Sequence, residues 1–436
     1  MLSTTPPVTT RHYTLTCPSC GLQTPDDGLV LECPQPHAPA LLRTQYTTRT
    51  FSPRAEEDGV FRYRDLLPVS RVPRQGGRTV VYRSQGLGGL LGLRNLWIAF
   101  NGYWPERGAF LETATFKELE AHTVLARLPG RPMVLTVPSS GNTGAAFAWA
   151  CSRQQVPCLV IVPRAAYGRF KFREPLHRCV TLAVIDDGDY PDAISFASKV
   201  SRSFPFQLEG GVKNVGRRDG LGTVLLSAFE EMRRLPDYYV QAVGSGTGAI
   251  AVHEAAGRLR ELTGETTVPR LLLCQNEPFT PIYDSWRHRE RTPAKNWPEA
   301  ECRAAIRQVF ADELTNWAPP FSVQGGLFDV LTESHGDVLT VDNGAARAAL
   351  GTFRDLEGID IEPAAGVALA GLRAAVRQGR IRPDSMVLLN VTGGGRDRRT
   401  QQGANVQAGI HVHLSKQSLG STAAMDQVTE QCLRSL

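Results

Sequence analysis

The chain has 436 residues, 42% of them hydrophobic and 21% charged, a globular composition in a length too great for one simple core. Its formal net charge of +5 is small for that length. With no basic stripe interleaved with aromatics and no apolar run of membrane-spanning length, nucleic-acid and membrane partners are excluded. Nine cysteines, an odd number spread over the chain, argue against a disulfide scaffold. The start, Met1-Leu-Ser-Thr-Thr-Pro-Pro7, lacks the charged and apolar regions of a signal peptide. Together these features predict a reducing cytoplasm.

In chain order, residues 1–45 stand apart as a small cysteine-containing lobe. Cys17-Pro-Ser-Cys20 is a knuckle turn, Leu29-Val-Leu-Glu32 reads as a short strand, and Cys33-Pro-Gln-Pro-His37 follows. Two such knuckles give zinc its four tetrahedral ligands, here Cys17, Cys20, Cys33 and His37, with the histidine at a wider spacing. Reduced cysteines in a satellite lobe are the alternative.

From about residue 60 the pattern is α/β. Short apolar runs rich in β-branched residues occur at 79–82, 96–100, 133–137, 158–162, 180–185, 238–243, 271–274 and 386–391. Helical stretches such as Ala145–Cys151 and Gly222–Glu230 separate most of them, which predicts mainly parallel sheets covered by helices. Residues 46–115 and 210–400 are assigned to a large domain and 116–209 to a small one. The stretch 280–330 reads as an irregular surface excursion near the cleft, and 401–436 as a polar C-terminal tail without an assigned role.

Four segments carry chemistry. Lys117 opens a predicted helix whose first turn holds Glu118 and Glu120, suited to the positive end of the helix dipole. Ser139-Ser140-Gly141-Asn142-Thr143-Gly144 follows an apolar strand and precedes an alanine-rich helix. It is either a helix cap with a tight turn or a carboxylate-binding loop in which Asn142 adds a side-chain amide. Gly244-Ser245-Gly246-Thr247-Gly248 follows the strand at 238–243, and its backbone suits an anion such as a phosphate monoester. Neither a Walker lysine nor a ribose-binding acid accompanies it. Thr392-Gly-Gly-Gly-Arg396 ends the last predicted strand and presents a neutral hydroxyl. An amine, a carboxylate loop, a phosphate cup and a neutral hydroxyl are what a pyridoxal 5'-phosphate (PLP) enzyme of elimination and replacement uses.

In this order the four segments resemble the fold-type II PLP enzymes, the superfamily of the tryptophan synthase β-subunit and threonine synthase. Lys117 matches that family's Schiff-base lysine and Asn142 the asparagine on the ring hydroxyl. Gly244 to Gly248 matches the phosphate cup and Thr392 the partner of the pyridine nitrogen. Glu362-Pro-Ala-Ala-Gly366 and the cysteine-bearing lobe point to the threonine synthase branch. Phe100-Asn-Gly-Tyr-Trp-Pro105, Lys213-Asn-Val-Gly-Arg-Arg-Asp-Gly220 and Pro319-Pro-Phe-Ser-Val-Gln-Gly-Gly-Leu-Phe328 are similar to the cysteate synthase family within it.

The resemblance implies a β-replacement in which O-phospho-L-serine and sulfite give L-cysteate and phosphate. Ser139, Ser140, Gly141 and Thr143 would bind the substrate carboxylate, and Lys213, Arg217 and Arg218 its anionic groups. Arg107 is a further candidate. A homodimer is implied as well. The alternatives are threonine synthesis from O-phospho-L-homoserine, β-replacement of phosphoserine with another nucleophile, and a PLP-fold binding protein without turnover.

Overall fold

The computed structural model describes residues 11–73, 76–292, 298–316 and 318–434. The start read for a signal peptide lies outside the described residues.

Two mainly parallel sheets organise the chain. The larger has six strands in the spatial order 337–341, 270–276, 238–242, 386–391, 95–100, 80–83. All neighbours are parallel except the edge strand Val80–Arg83, which runs antiparallel to Asn95–Phe100. Alternate side chains leave opposite faces of a strand. Tyr239 and Leu388 therefore enter one core under the Val215–Met232 and Thr247–Thr263 helices. Val240, Val387 and Leu389 enter a second core under the Asn343–Glu357 and Pro363–Arg377 helices. Burial on both faces is why these strands read as continuous apolar runs.

The smaller sheet has five parallel strands ordered 206–208, 134–138, 158–163, 180–185, 412–414. It too has a core on each face, Val160 and Leu182 on one side, Leu159 and Ala183 on the other. The last strand comes from the segment set apart in sequence as a tail. Val412–Leu414 pairs with Ala183–Ile185, and the Thr422–Leu433 helix buries Val428 and Cys432 in the same core. The excursion at 280–330 holds helices at Pro281–Trp286, Glu299–Ile306 and Leu327–Glu333, and a 3-10 turn at Asp312–Leu314.

The N-terminal lobe is an antiparallel sheet of Tyr13–Thr16, Gln23–Thr24 and Arg43–Tyr46. Leu29–Glu32 is not a strand. Asp27 accepts hydrogen bonds from the Leu29 and Val30 amides at 2.7 and 3.1 Å, and this local side-chain capping competes with extended pairing. The lobe is docked by a buried ion pair, in which Arg127 donates to both carboxylate oxygens of Asp26 at 2.8 Å. Among the described residues no helix is long and apolar enough to cross a membrane.

Candidate active site

Three of the four segments singled out in the sequence sit at the carboxyl ends of parallel strands. The Ser139–Gly144 loop follows Val134–Pro138, the Gly244–Gly248 loop follows Tyr238–Ala242, and Thr392–Arg396 follows Met386–Val391. Ligands of open α/β sheets collect there, beyond the strand ends, where helix N-termini add unpaired amides. Lys117 begins the Lys117–Arg127 helix, which lies between the Asn142–Gln154 and Val215–Met232 helices. One cavity is lined by Lys117, Ser140, Asn142, Thr143, Gly244, Ser245, Gly246, Thr247, Gly248 and Thr392. Gln241, Glu313, Leu314 and Glu362 also line it.

The amine of Lys117 stands 3.6 Å from Glu120 and 4.7 Å from the centre of the Phe116 ring. Burial pushes its pKa down, the Glu120 carboxylate pulls the other way, and the Arg217 guanidinium adds to the lowering. The net effect is a lowered pKa, which brings the neutral amine, the form that attacks a carbonyl or accepts a proton, within easier reach.

The glycine-rich loop turns at Gly246 with φ +75°, and a Cβ there would stand 2.4 Å from Leu327. Only glycine fits this left-handed, crowded position. Immediately after it the Thr247–Thr263 helix begins, and Ser245 and Thr247 place their hydroxyls 2.9 Å apart at its mouth. The hydroxyl of Thr392 is buried and makes no hydrogen bond in the structure. Such an orphan costs free energy unless something in the cavity pairs with it. A hydroxyl that can bond a ring nitrogen, an anion-binding helix start and a depressed lysine amine fit PLP.

Asn142 lines the cavity, yet its amide is engaged. It donates to Glu362 at 3.1 Å and accepts from Arg396 at 3.0 Å. Ser139 and Gly141 lie behind the cavity wall. The Ser139 hydroxyl accepts from the Gly141 and Gly144 amides at 3.0 and 2.7 Å, so it caps the loop from within.

The basic candidates separate. Arg217 faces inward and is held between two carboxylates, donating to Glu120 at 2.8 Å and to Glu209 at 2.9 Å. Arg218, one residue on, is turned about 100° around the helix. It is fully buried against Glu254 and donates to the carbonyls of Val212 and Leu42. Lys213 pairs with Glu32 of the N-terminal lobe. Arg218 and Lys213 thus dock the lobe, and Arg217 approaches the site only through Glu120; none of the three lines the cavity, contrary to the sequence expectation. Arg107 stacks on Tyr82 and Trp104 instead, at 4.4 and 4.6 Å from the ring centres.

Sequence reasoning missed Gln241, Glu313 and the site role of Glu362. Glu362 left a signal, an acid directly before a proline that opens a helix. Glu313 left none, since it lies in the irregular stretch. It accepts from the Ala364 amide at 2.9 Å, and burial beside the Glu362 carboxylate pushes its pKa up to about 8.

In the N-terminal lobe, the ligand atoms of Cys17, Cys20, Cys33 and His37 lie within 4.8 Å of one another. The Cys20 and Cys33 sulfurs are 3.7 Å apart, close to the roughly 3.8 Å edge of a tetrahedron with zinc–sulfur bonds of about 2.3 Å. His37 donates from Nδ1 to the Ala38 carbonyl at 2.7 Å and turns Nε2 toward Cys17 at 3.3 Å. A carbonyl behind the ring is how a metal-binding histidine is oriented.

The family described as pyridoxal-phosphate dependent enzyme matches residues 72–393. A cysteate synthase of Methanospirillum hungatei is 45% identical over 386 residues, 88% of this chain and 90% of that protein. One of Methanosphaerula palustris is 45% identical over 390 residues, with the same coverage. Maize serine racemase superposes with a TM-score of 0.56 at 18% identity, over 73% of this chain and 89% of that one, a likeness of fold alone. A lysine, a phosphate-type loop and an unpaired threonine hydroxyl in one cavity agree with those matches, and the chain belongs to the pyridoxal-phosphate dependent enzymes and, within them, to the family of these cysteate synthases.

Proposed function

We propose that the protein makes L-cysteate and phosphate from O-phospho-L-serine and sulfite. One observation carries the choice of chemistry: among the described residues lining the cavity beside the Gly244–Gly248 loop, the buried side-chain atom without a hydrogen bond is the neutral hydroxyl of Thr392, not a carboxylate. A hydroxyl cannot keep a pyridine nitrogen protonated, which favours elimination and replacement over transamination. The relatives named cysteate synthase carry the choice of product.

When bound, PLP supplies the electron sink that acidifies the α-hydrogen of the amino acid and loosens its β-substituent. Gly244 to Gly248 would hold its phosphate, Asn142 its ring oxygen and Thr392 its ring nitrogen. The chain's own residues do the rest. The Lys117 amine takes the proton from the α-carbon and returns it there after exchange at the β-carbon. Glu120 lies close enough to share that proton load. Ser140, Thr143 and the loop amides orient the substrate carboxylate at the start of the Asn142–Gln154 helix. At the β-carbon the bond to phosphate oxygen breaks and a bond to sulfite sulfur forms. Arg217, between Glu120 and Glu209, sets the charge around the lysine. The four ligands of the N-terminal lobe bind one zinc ion that holds its fold, and the enzyme works as a homodimer.

The test is product analysis of purified protein with O-phosphoserine or O-phosphohomoserine, each with and without sulfite. Cysteate from the first pair supports the reading, and sulfite-independent threonine from the second sinks it. Lys117→Ala should abolish the visible absorbance of the bound cofactor, and an unchanged spectrum refutes the role of this lysine. Metal analysis should find about one zinc per chain, and light scattering should find twice the chain mass.

A further inference from the structure

Among the described residues no arginine lines the cavity, where the proposed chemistry needs a cation besides Lys117. Glu313 and Glu362 line it, and Glu120 adjoins Lys117, yet both the leaving group and the entering nucleophile of the proposed β-replacement are oxyanions. Resting on that reading, we propose that Arg169 receives the oxyanion exchanged at the substrate's β-carbon, and that Asp312 occupies this position as an internal stand-in until the oxyanion arrives.

Arg169 closes the short helical turn Arg164–Arg169 after the strand Cys158–Pro163. Its backbone is fixed. Phe170 is fully buried, Tyr167 donates to the Ala408 carbonyl at 2.6 Å, and Gln407 donates to the Phe170 carbonyl at 3.1 Å. From this base the side chain crosses directly over Gly141. A Cβ on Gly141 would stand 2.6 Å from Arg169 Cδ and 3.0 Å from Nη1. Gly141 has φ +142°, so the loop yields both volume and backbone freedom to let the arginine pass. The residues on either side, Ser140 and Asn142, face the cavity. Arg169 does not itself line the cavity; its guanidinium rests on Gly141 of the loop expected to take the substrate and pairs with Asp312, whose neighbours Glu313 and Leu314 do line it.

Its ion-pair partner is what separates Arg169 from the other arginines here. Arg217 is matched with Glu120 and Glu209, and Arg396 with Glu362. Those carboxylates are 0%, 3% and 4% exposed, and stripping the arginine from them would strand a buried charge. Asp312 is 59% exposed. Water replaces its arginine at little cost, since exposed pairs are weak. A phosphate or sulfite oxyanion can then take the fork geometry of the guanidinium.

The exchange has a built-in reporter. Asp312, Glu313 and Leu314 form one 3-10 turn. Glu313 accepts from Ala364, and Leu314 packs so tightly on Gly244 that a Cβ there would be 3.0 Å away. Releasing Asp312 therefore loosens a turn that also touches the start of the Pro363–Arg377 helix and the phosphate-type loop.

Steady-state kinetics of the PLP-loaded enzyme test this, with O-phosphoserine and sulfite varied separately. Arg169→Gln should raise KM for the oxyanion it binds by about 10- to 100-fold, with a smaller change in kcat. A shift in KM for phosphoserine assigns the leaving phosphate, and a shift for sulfite assigns the nucleophile. Arg169→Lys should recover part of the loss. Asp312→Asn removes the competitor, so inorganic sulfate should perturb the cofactor spectrum at several-fold lower concentration, and in Arg169→Gln at higher. Both KM values within twofold of wild type, with an unaltered sulfate response, overturn the proposal. If wild type forms no cysteate, the functional reading falls, and the sulfate titration of the three proteins still decides the role of Arg169.

Discussion

Replacing Thr392 by valine should shift stability in opposite senses with and without cofactor. In the structure the threonine hydroxyl is buried and unpaired, and such a group costs about 1–3 kcal/mol against an apolar group of the same shape. Valine keeps the branched outline and removes the polar atom, so cofactor-free Thr392→Val should be more stable than cofactor-free wild type by about 1 kcal/mol or more. On the proposed pairing with the ring nitrogen, bound PLP gives the hydroxyl its partner and leaves valine without one. The same 1–3 kcal/mol then appears as weaker cofactor binding, roughly 5- to 150-fold in Kd. Urea denaturation of the stripped proteins reads the first effect, and PLP titration followed by absorbance reads the second. Lower stability of the stripped variant, or a PLP affinity within twofold of wild type, would refute the assignment of this hydroxyl to the ring nitrogen.

Two further changes probe the surroundings of the site. Asp26→Asn leaves the Arg127 guanidinium, 1% exposed, without its charge partner, and should cost about 3–5 kcal/mol in urea denaturation. Burial alone would raise the Asp26 pKa, but the Arg127 hydrogen bonds and charge outweigh it and hold it low. That stability should therefore fade as pH drops through the depressed value, in wild type only. A loss below about 1 kcal/mol would mean the lobe is not anchored there. Glu313 has the opposite sign. Its folded pKa is raised from 4.5 to about 8, so the contribution is complete below 4.5 and is lost as pH climbs through about 8. Glu313→Gln should flatten that decline in denaturation midpoints between pH 5 and pH 8, and an unchanged slope would show that another group titrates.

The parts of this architecture visible in sequence are those whose cause is local. Cys158–Pro163 and Val180–Ile185 read as strands because burial on both faces demands unbroken apolar runs. The Gly244–Gly248 loop was legible because a strand, a glycine turn and a helix follow one another in the chain. Arg217 and Arg218 show the limit. They are adjacent in sequence, and only the helix turns one toward Glu120 beside Lys117 and the other under the N-terminal lobe. Glu313 and Arg169 escaped notice for a related reason. Their meaning comes from Ala364, Gly141 and Asp312, which lie far off along the chain. Val412–Leu414 is too short and too mixed in polarity to stand out without the strand it pairs with.

That last strand bears on how the protein is made. Val180–Ile185 is synthesised more than two hundred residues before Val412–Leu414 arrives to cover its open side. Until then the ribosome holds a growing chain whose smaller sheet ends in an unpaired row of amides and carbonyls on a strand apolar but for Thr181. A message truncated before codon 412 would release that edge permanently, and aggregates grow from edges of this kind. Such a product would keep Lys117, Asn142, the Gly244–Gly248 loop and Thr392, and would still be a candidate for removal by chaperones and proteases.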